Sequence, residues 1–175
     1  MKQELDYKKT LDEALEADLL DDDFYEDSQK DRYMTFGIDG QDYGIEILNV
    51  TEIVGLQDIA EVPDVPNFVK GMMNLRGNVV PVISVRLRFG LPEVEYDDRT
   101  CVVVITLGNS TIGMIVDRVN EVRTIPEANI STPPQGGVAA AGGQFITGLG
   151  RETDSVTILL DLAALLDIKD EANPH

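Results

Sequence analysis

From Tyr33 to Leu160 the apolar residues fall in short runs, mostly alternating with polar ones, and the runs end at glycine, proline, asparagine or aspartate. A period of two is that of strands, whose successive side chains point to opposite faces. Met34, Phe36 and Ile38 alternate, Asp39-Gly40 supplies a two-residue hairpin turn, and Tyr43, Ile45 and Ile47 resume the alternation. Val50 to Val54 forms another apolar segment, and Val62-Pro63-Asp64-Val65-Pro66 is a stiff connection into Asn67-Phe68-Val69. Cys101 to Leu107 is almost continuously apolar, as in a strand covered on both faces. Gly108-Asn109 then precedes strands at Thr111 to Val116 and Val119 to Ile125. Phe145 to Leu149 and Val156 to Leu160 are two more, joined around Gly150-Arg151-Glu152.

The stretch from Gly71 to Gly90 holds the densest information. Two apolar runs flank Arg76-Gly77-Asn78, where glycine beside asparagine supplies the positive backbone dihedrals of a tight reversal. Pro81 cannot donate to a ladder, so the second of these strands should lie at an edge or carry a bulge. After Ile83 the spacing changes to four, pairing Ile83 with Leu87 and Val85 with Phe89, which predicts a short helix capped by Ser84 and ended by Gly90. Asp161 is placed to cap a second helix, whose Leu162, Leu165 and Leu166 share one face.

Many short strands, frequent turns and brief helices predict an all-β barrel architecture. The polar connector Pro92 to Arg99 is the natural lobe boundary, at about residues 91–100. Gly136 to Gly143 is too permissive to hold one conformation unaided and reads as a mobile loop. The N-terminal segment, residues 1–31, has a different character. Twelve acidic and five basic residues fall among the first 32, with Asp21-Asp22-Asp23 in sequence, which predicts a disordered acidic tail. Within it Thr10 and Glu13 have capping-box spacing and Leu11, Leu15 and Leu19 recur every four residues, so a helix that docks on a partner or on the body is the competing reading. Residues 169–175 read as a disordered C-terminus.

The chain of 175 residues suits one domain or two small lobes sharing a core. Its net charge of -18 opposes nucleic acid and anionic membrane. No basic start followed by an apolar run marks a signal peptide, and no apolar stretch approaches the roughly 20 residues that span a bilayer. A cytoplasmic location follows as an expectation. Cys101 is the single cysteine, so no internal disulfide can form, and its apolar neighbours make it a core thiol.

Catalytic chemistry finds few suppliers. His175, the last residue, is the single histidine, which removes histidine-based triads and metal sites. Gly148-Leu149-Gly150 lacks the third glycine and following helix of a dinucleotide fingerprint, and no phosphate-binding loop pattern occurs. The sequence therefore reads as a non-enzymatic body without cofactor or metal, working through its surfaces.

Asn74-Leu75-Arg76-Gly77, then Pro81-Val82, then Val85-Arg86-Leu87-Arg88-Phe89-Gly90 resembles the signature of the CheW family, the coupling proteins of bacterial chemotaxis arrays. Further matches are Asp42 to Ile53 upstream, and Val116-Asp117, Glu121-Val122 and Thr147 to Gly150 downstream. The resemblance runs from Arg32 to Ile168. Ser84 departs from it, since the family usually has aspartate there; both residues cap helices, so the difference bears on a charge contact at that corner. The resemblance implies two packed five-stranded barrels of the Src-homology type with short helices. It also implies two partners, the regulatory domain of the histidine kinase CheA and the cytoplasmic hairpin tip of chemoreceptors, which the adaptor joins without chemistry of its own.

Six residues match family positions linked to receptor or kinase contact: Val50, Glu52, Gly71, Arg76, Cys101 and Val122. Val50, Cys101 and Val122 equally suit a core, and Gly71 equally suits a backbone requirement. Glu52 and Arg76 are charges among apolar strand residues, costly to bury unpaired, and should face solvent or a partner. The competing functional classes are a barrel binding a small ligand or metal, which predicts a closed polar pocket, and a regulatory enzyme subunit.

Overall fold

A computed structural model of the chain describes residues 29–133 and 142–167. The expectations for the acidic segment up to residue 28, for most of the glycine-rich loop and for the C-terminus lie outside the described residues. The folded body begins before residue 32, where the sequence had placed its start. Gln29 is buried, and the Ile125 N–H donates to the Asp31 carbonyl at 2.8 Å.

Twelve strands and two one-turn α-helices form among the described residues. The first half holds β1 (Arg32–Ile38), β2 (Gln41–Glu46), β3 (Val50–Gly55), β4 (Ile59–Ala60), β5 (Val69–Leu75), β6 (Asn78–Ser84) and α1 (Val85–Arg88). The second holds β7 (Cys101–Leu107), β8 (Ser110–Val116), β9 (Arg118–Thr124), β10 (Ile130–Ser131), β11 (Ile146–Arg151), β12 (Val156–Leu160) and α2 (Leu162–Leu165). Each helix is capped as its sequence predicts: the Leu87 N–H donates to Ser84 Oγ and the Ala164 N–H to Asp161 Oδ1, both at 3.2 Å. The Asp39-Gly40 turn has positive φ at both residues, 54° and 81°, the geometry that two-residue hairpins require.

The strands form two six-stranded sheets, ordered β10-β11-β12-β2-β1-β9 and β3-β7-β8-β6-β5-β4. Each has five longer strands and one strand of two residues. In both sheets the two end strands are consecutive in the chain. β3 and β4 are joined by residues 56–58, which can span at most about 14 Å, whereas a flat six-stranded sheet would hold its ends about 24 Å apart. The sheet must therefore curl on itself, and the all-β, barrel-like architecture follows.

The lobe boundary differs from the polar connector. Residues 92–99 join α1 to β7, and β6 and β7 both belong to the middle lobe, β3 to β8. The chain instead crosses between lobes at Ile47–Asn49, a turn of 3-10 helix, and at Asp117 alone. Polar composition marked a solvent-exposed loop, while lobe membership is decided by pairing between strands far apart in sequence. The terminal lobe thus takes β1 and β2 from one end of the chain and β9 to β12 from the other.

Register reveals an internal repeat. Gly44 lies beside Leu159, which pairs with Gly148; Gly113 lies beside Val82, which pairs with Gly71. A bulge precedes each second glycine, at Val69/Gly71 and at Ile146/Gly148. The Ser84 N–H donates to the Phe68 carbonyl and the Asp161 N–H to the Phe145 carbonyl, both at 2.8 Å. Residues 32–89 and 101–166 are therefore two copies of one unit, with Gly44-Ile45-Glu46-Ile47-Leu48-Asn49-Val50-Thr51-Glu52-Ile53 matching Gly113-Met114-Ile115-Val116-Asp117-Arg118-Val119-Asn120-Glu121-Val122. Each lobe takes its first hairpin from one copy and its remaining strands from the other.

The two lobes share a core. Met34, Phe36, Tyr43 and Leu160 of the terminal lobe cluster with Ile53, Phe68, Val85 and Val103 of the middle lobe. A smaller cluster of Met73, Val82, Val102, Val104 and Ile115 fills the middle lobe. Alternate residues of β7 enter one cluster or the other, which explains its continuous apolar run. Pro81 lies on an inner strand, against the expectation of an edge or bulge at that point. β8 runs beside β6 only from Val82 to Ser84, so at Pro81 a single neighbour, β5, is present and the missing N–H is tolerated.

Candidate partner-binding site

The β5–β6 turn positions the first candidate. Positive φ falls on Arg76 (53°) and Gly77 (87°), and Asn78 already opens β6, so the reversal lies one residue earlier than the glycine-asparagine pair suggested. The Gly77 N–H donates to Asn74 Oδ1 at 2.9 Å and locks the turn. An arginine in the left-handed region is unusual for a residue with a Cβ. Its guanidinium leaves the turn and reaches β3, where Nη1 donates to Glu52 Oε1 at 2.7 Å. Glu52 is largely covered while Arg76 is 69% exposed, so the carboxylate anchors the arginine and leaves most of the cation facing outward.

The structure brings Glu52 and Arg76 together and places the other four candidates differently. Val50 and Cys101 are buried, at 3% and 8% exposed, in the core shared by the lobes. Val122 is half-buried against that core, opposite Met34 on β1. Gly71 has φ of 144°, and a Cβ there would stand 2.1 Å from the Ala60 carbonyl oxygen. Close approach of β4 thus demands a glycine. Val50, Gly71 and Cys101 lie on strands of the middle lobe, which carries Glu52 and Arg76, while Val122 lies on β9 of the terminal lobe.

The middle lobe also carries an open trough lined by Leu56, Ile59, Val94 and Tyr96, with Lys70 and Glu93 paired across it. The hydrogen bond from Lys70 to Glu93 is the main cause of a raised Lys70 pKa. Tyr96 is pushed up by burial. Among the described residues no three histidine, cysteine, aspartate or glutamate side chains converge as a metal site.

Sequence reasoning found α1 but gave its arginines no role. Arg86 donates from Nε and Nη2 to the two carboxylate oxygens of Asp117, each at 2.9 Å, and from Nη2 to Asp39 Oδ1 at 3.4 Å. These contacts, the Asp117 hydrogen bond foremost, raise its pKa. Arg88 is buried, with its guanidinium carbon 4.3 Å from the Phe68 ring centroid and 4.7 Å from that of Phe145. Phe89 packs between Tyr43 and Phe145, at centroid distances of 5.1 and 6.2 Å. All three side chains of the middle lobe reach the terminal lobe. The internal repeat was the available signal, because it sets Arg88 opposite a position where the second copy has leucine.

Comparison with known proteins places this geometry. The family model for the CheW-like domain matches residues 32–170. The chain belongs to the CheW-like family. It is 35% identical over 140 residues to the chemotaxis protein CheW of Klebsiella aerogenes, covering 80% of this chain and 84% of that protein. It is 33% identical over 137 residues to the chemotaxis protein CheW of Bacillus subtilis, covering 78% and 87%. Among solved structures, the scaffolding protein TtCheW from Thermoanaerobacter tengcongensis matches with a TM-score of 0.72 at 30% identity, over 79% of this chain and 93% of that one. Within this CheW-like domain the Ser84 hydroxyl performs the capping, and the neighbouring charge contact is formed by Arg86 with Asp117 and Asp39.

Proposed function

We propose that the chain is a non-enzymatic chemotaxis adaptor that couples chemoreceptors to the histidine kinase CheA. Its partners are the CheA regulatory domain and the cytoplasmic hairpin tip of the receptors, and its place is the cytoplasm, held at receptor arrays through protein contacts. Membership of the CheW-like family supports this reading, as does the scaffolding description of a structural relative. Among the described residues no helix is long and apolar enough to cross a membrane.

The observation that carries the reading to a surface is Arg76, an exposed guanidinium set by a two-residue turn and anchored by Glu52. A cation so oriented is a strong recognition group for a carboxylate or carbonyl of a partner. Val50, Gly71 and Cys101 belong to strands of the same lobe as Arg76, and Val122 to β9 of the terminal lobe. Isothermal titration with the CheA regulatory domain and with a receptor hairpin, each without nucleotide or metal, tests the proposal. Binding of both is the expected result, and binding of neither overturns it.

A further inference from the structure

We propose that Arg88 is a positioning residue that fixes the angle between the two lobes, with Arg86 as its second support. The guanidinium lies between one ring from each lobe, and Phe68 and Phe145 hold the same position in the two copies of the repeat. In the plane of the fork, Nε donates to the Leu165 carbonyl at 2.9 Å, and Nη2 to the carbonyls of Ala164 at 2.9 Å and Asp167 at 3.3 Å. These carbonyls close the end of α2, where the helix itself leaves acceptors over. A ring contact from each lobe and three backbone acceptors together restrain tilt and rotation. A purely apolar contact would allow sliding, because hydrophobic burial is non-directional.

Stability alone gives no reason for an arginine here. Burying a guanidinium forfeits hydration that its partners must offset, and an apolar side chain of similar volume often serves as well. The second copy of the repeat shows that such a side chain suits the position, since it carries Leu165 there. What a planar fork adds is a defined arrangement. Arg86 works from the other side of the same turn, gripping both oxygens of Asp117, the one-residue crossing between lobes, and touching Asp39 in the β1–β2 turn of the terminal lobe. A partner that touches both lobes would therefore meet an arrangement set in advance; this last step rests on the adaptor reading.

Spin labels at Val79→Cys and Val156→Cys, exposed and equivalent positions on β6 and β12, report the interlobe distance by double electron–electron resonance in the full chain carrying Cys101→Ala. The parent protein should give one narrow distribution. Arg88→Met and Arg88→Lys should broaden or shift it, while far-ultraviolet circular dichroism and amide protection of both sheets stay as in the parent. An unchanged distribution in both variants overturns the proposal, as does loss of both sheets in both variants, which would make Arg88 a requirement for folding. The binding step uses unlabelled protein with Cys101 intact and the CheA regulatory domain as probe. If the competent arrangement falls to about a tenth of the population, apparent affinity falls about tenfold. Unchanged affinity beside a broadened distribution overturns the binding step alone. If the unsubstituted protein binds neither kinase domain nor receptor hairpin, the adaptor reading fails, and the distance distributions still decide the role of Arg88.

Discussion

Arg88 and Leu165 hold the same position in two copies of one repeat, and the Arg88 Nε–H donates to the Leu165 carbonyl at 2.9 Å. Duplication alone would place like beside like at the junction of the lobes. The first copy alone carries a side-chain donor at this position, and it reaches the backbone of the second, which gives the junction a direction. The same divergence separates Glu52, anchoring Arg76, from its counterpart Glu121, which lies 3.5 Å from Arg123 on its own strand. Only one of the two turns therefore presents an outward arginine held by a glutamate on another strand.

Substitution of Arg76 separates binding from folding. Its ion pair with Glu52 is mostly exposed, so Arg76→Ala should cost less than about 1 kcal/mol of stability. Arg76→Gly relieves the positive φ and should match the parent within about 1 kcal/mol. Both should weaken kinase or receptor binding by about 1–3 kcal/mol, as for loss of a charged hydrogen bond in a packed contact. Thermal melts beside titrations check this. A large loss of melting temperature with normal affinity would remove Arg76 from the site.

Gly71 should behave in the opposite way. A methyl group at Gly71 combines left-handed backbone with collision against the Ala60 carbonyl. Gly71→Ala should cost about 2–5 kcal/mol and lower the melting temperature by about 5–15 °C. Gly40→Ala is the control: it has positive φ but nothing within 4 Å, and should cost only about 1 kcal/mol. Equal effects at the two sites would refute the close-approach argument.

Cutting the connector tests the exchange of hairpins. A protease site engineered between residues 93 and 98, which are exposed, would leave two pieces that each lend a hairpin to a sheet of the other. The pieces should co-elute in gel filtration under native conditions and separate only in denaturant. Separation without denaturant would mean that the lobes are built differently.

Tyr43 gives an alkaline signature. Burial, and next the nearby Asp39 carboxylate, push its hydroxyl up to about 12 from the ordinary 10.0. A raised acid keeps its proton longer in the folded state than in the unfolded one. Stability is thus fully present below pH 10 and falls as pH rises toward 12. Melting temperatures across that window should decline, and Tyr43→Phe should flatten the decline. An unchanged slope in Tyr43→Phe would exclude this residue as its source.

Local features were legible without coordinates. The Asp39-Gly40 reversal, the two capped helices and the doubly covered β7 follow from backbone geometry, capping and alternation, all set within a few residues. Glu52 and Arg76 stood out because a charge between apolar strand residues must be solvated or paired. Val50 and Cys101 were ambiguous on the same grounds, since an apolar residue in a strand carries no mark of which face is covered. Gly71 looked like any glycine until β4 was placed against it.

The sequence by itself determined the strands, the turns, the caps and the membership of a family, because each depends on interactions among near neighbours or on a pattern spread along the chain. The tertiary structure alone decided which strands share a sheet. Hairpins from either copy of the repeat fit either lobe locally, and only long-range pairing and the common core select the exchanged arrangement. That choice moved the boundary from the polar connector to two crossings, Ile47–Asn49 and Asp117. It also turned Arg86 and Arg88, to which the sequence alone assigned no role, into the groups that join the two lobes.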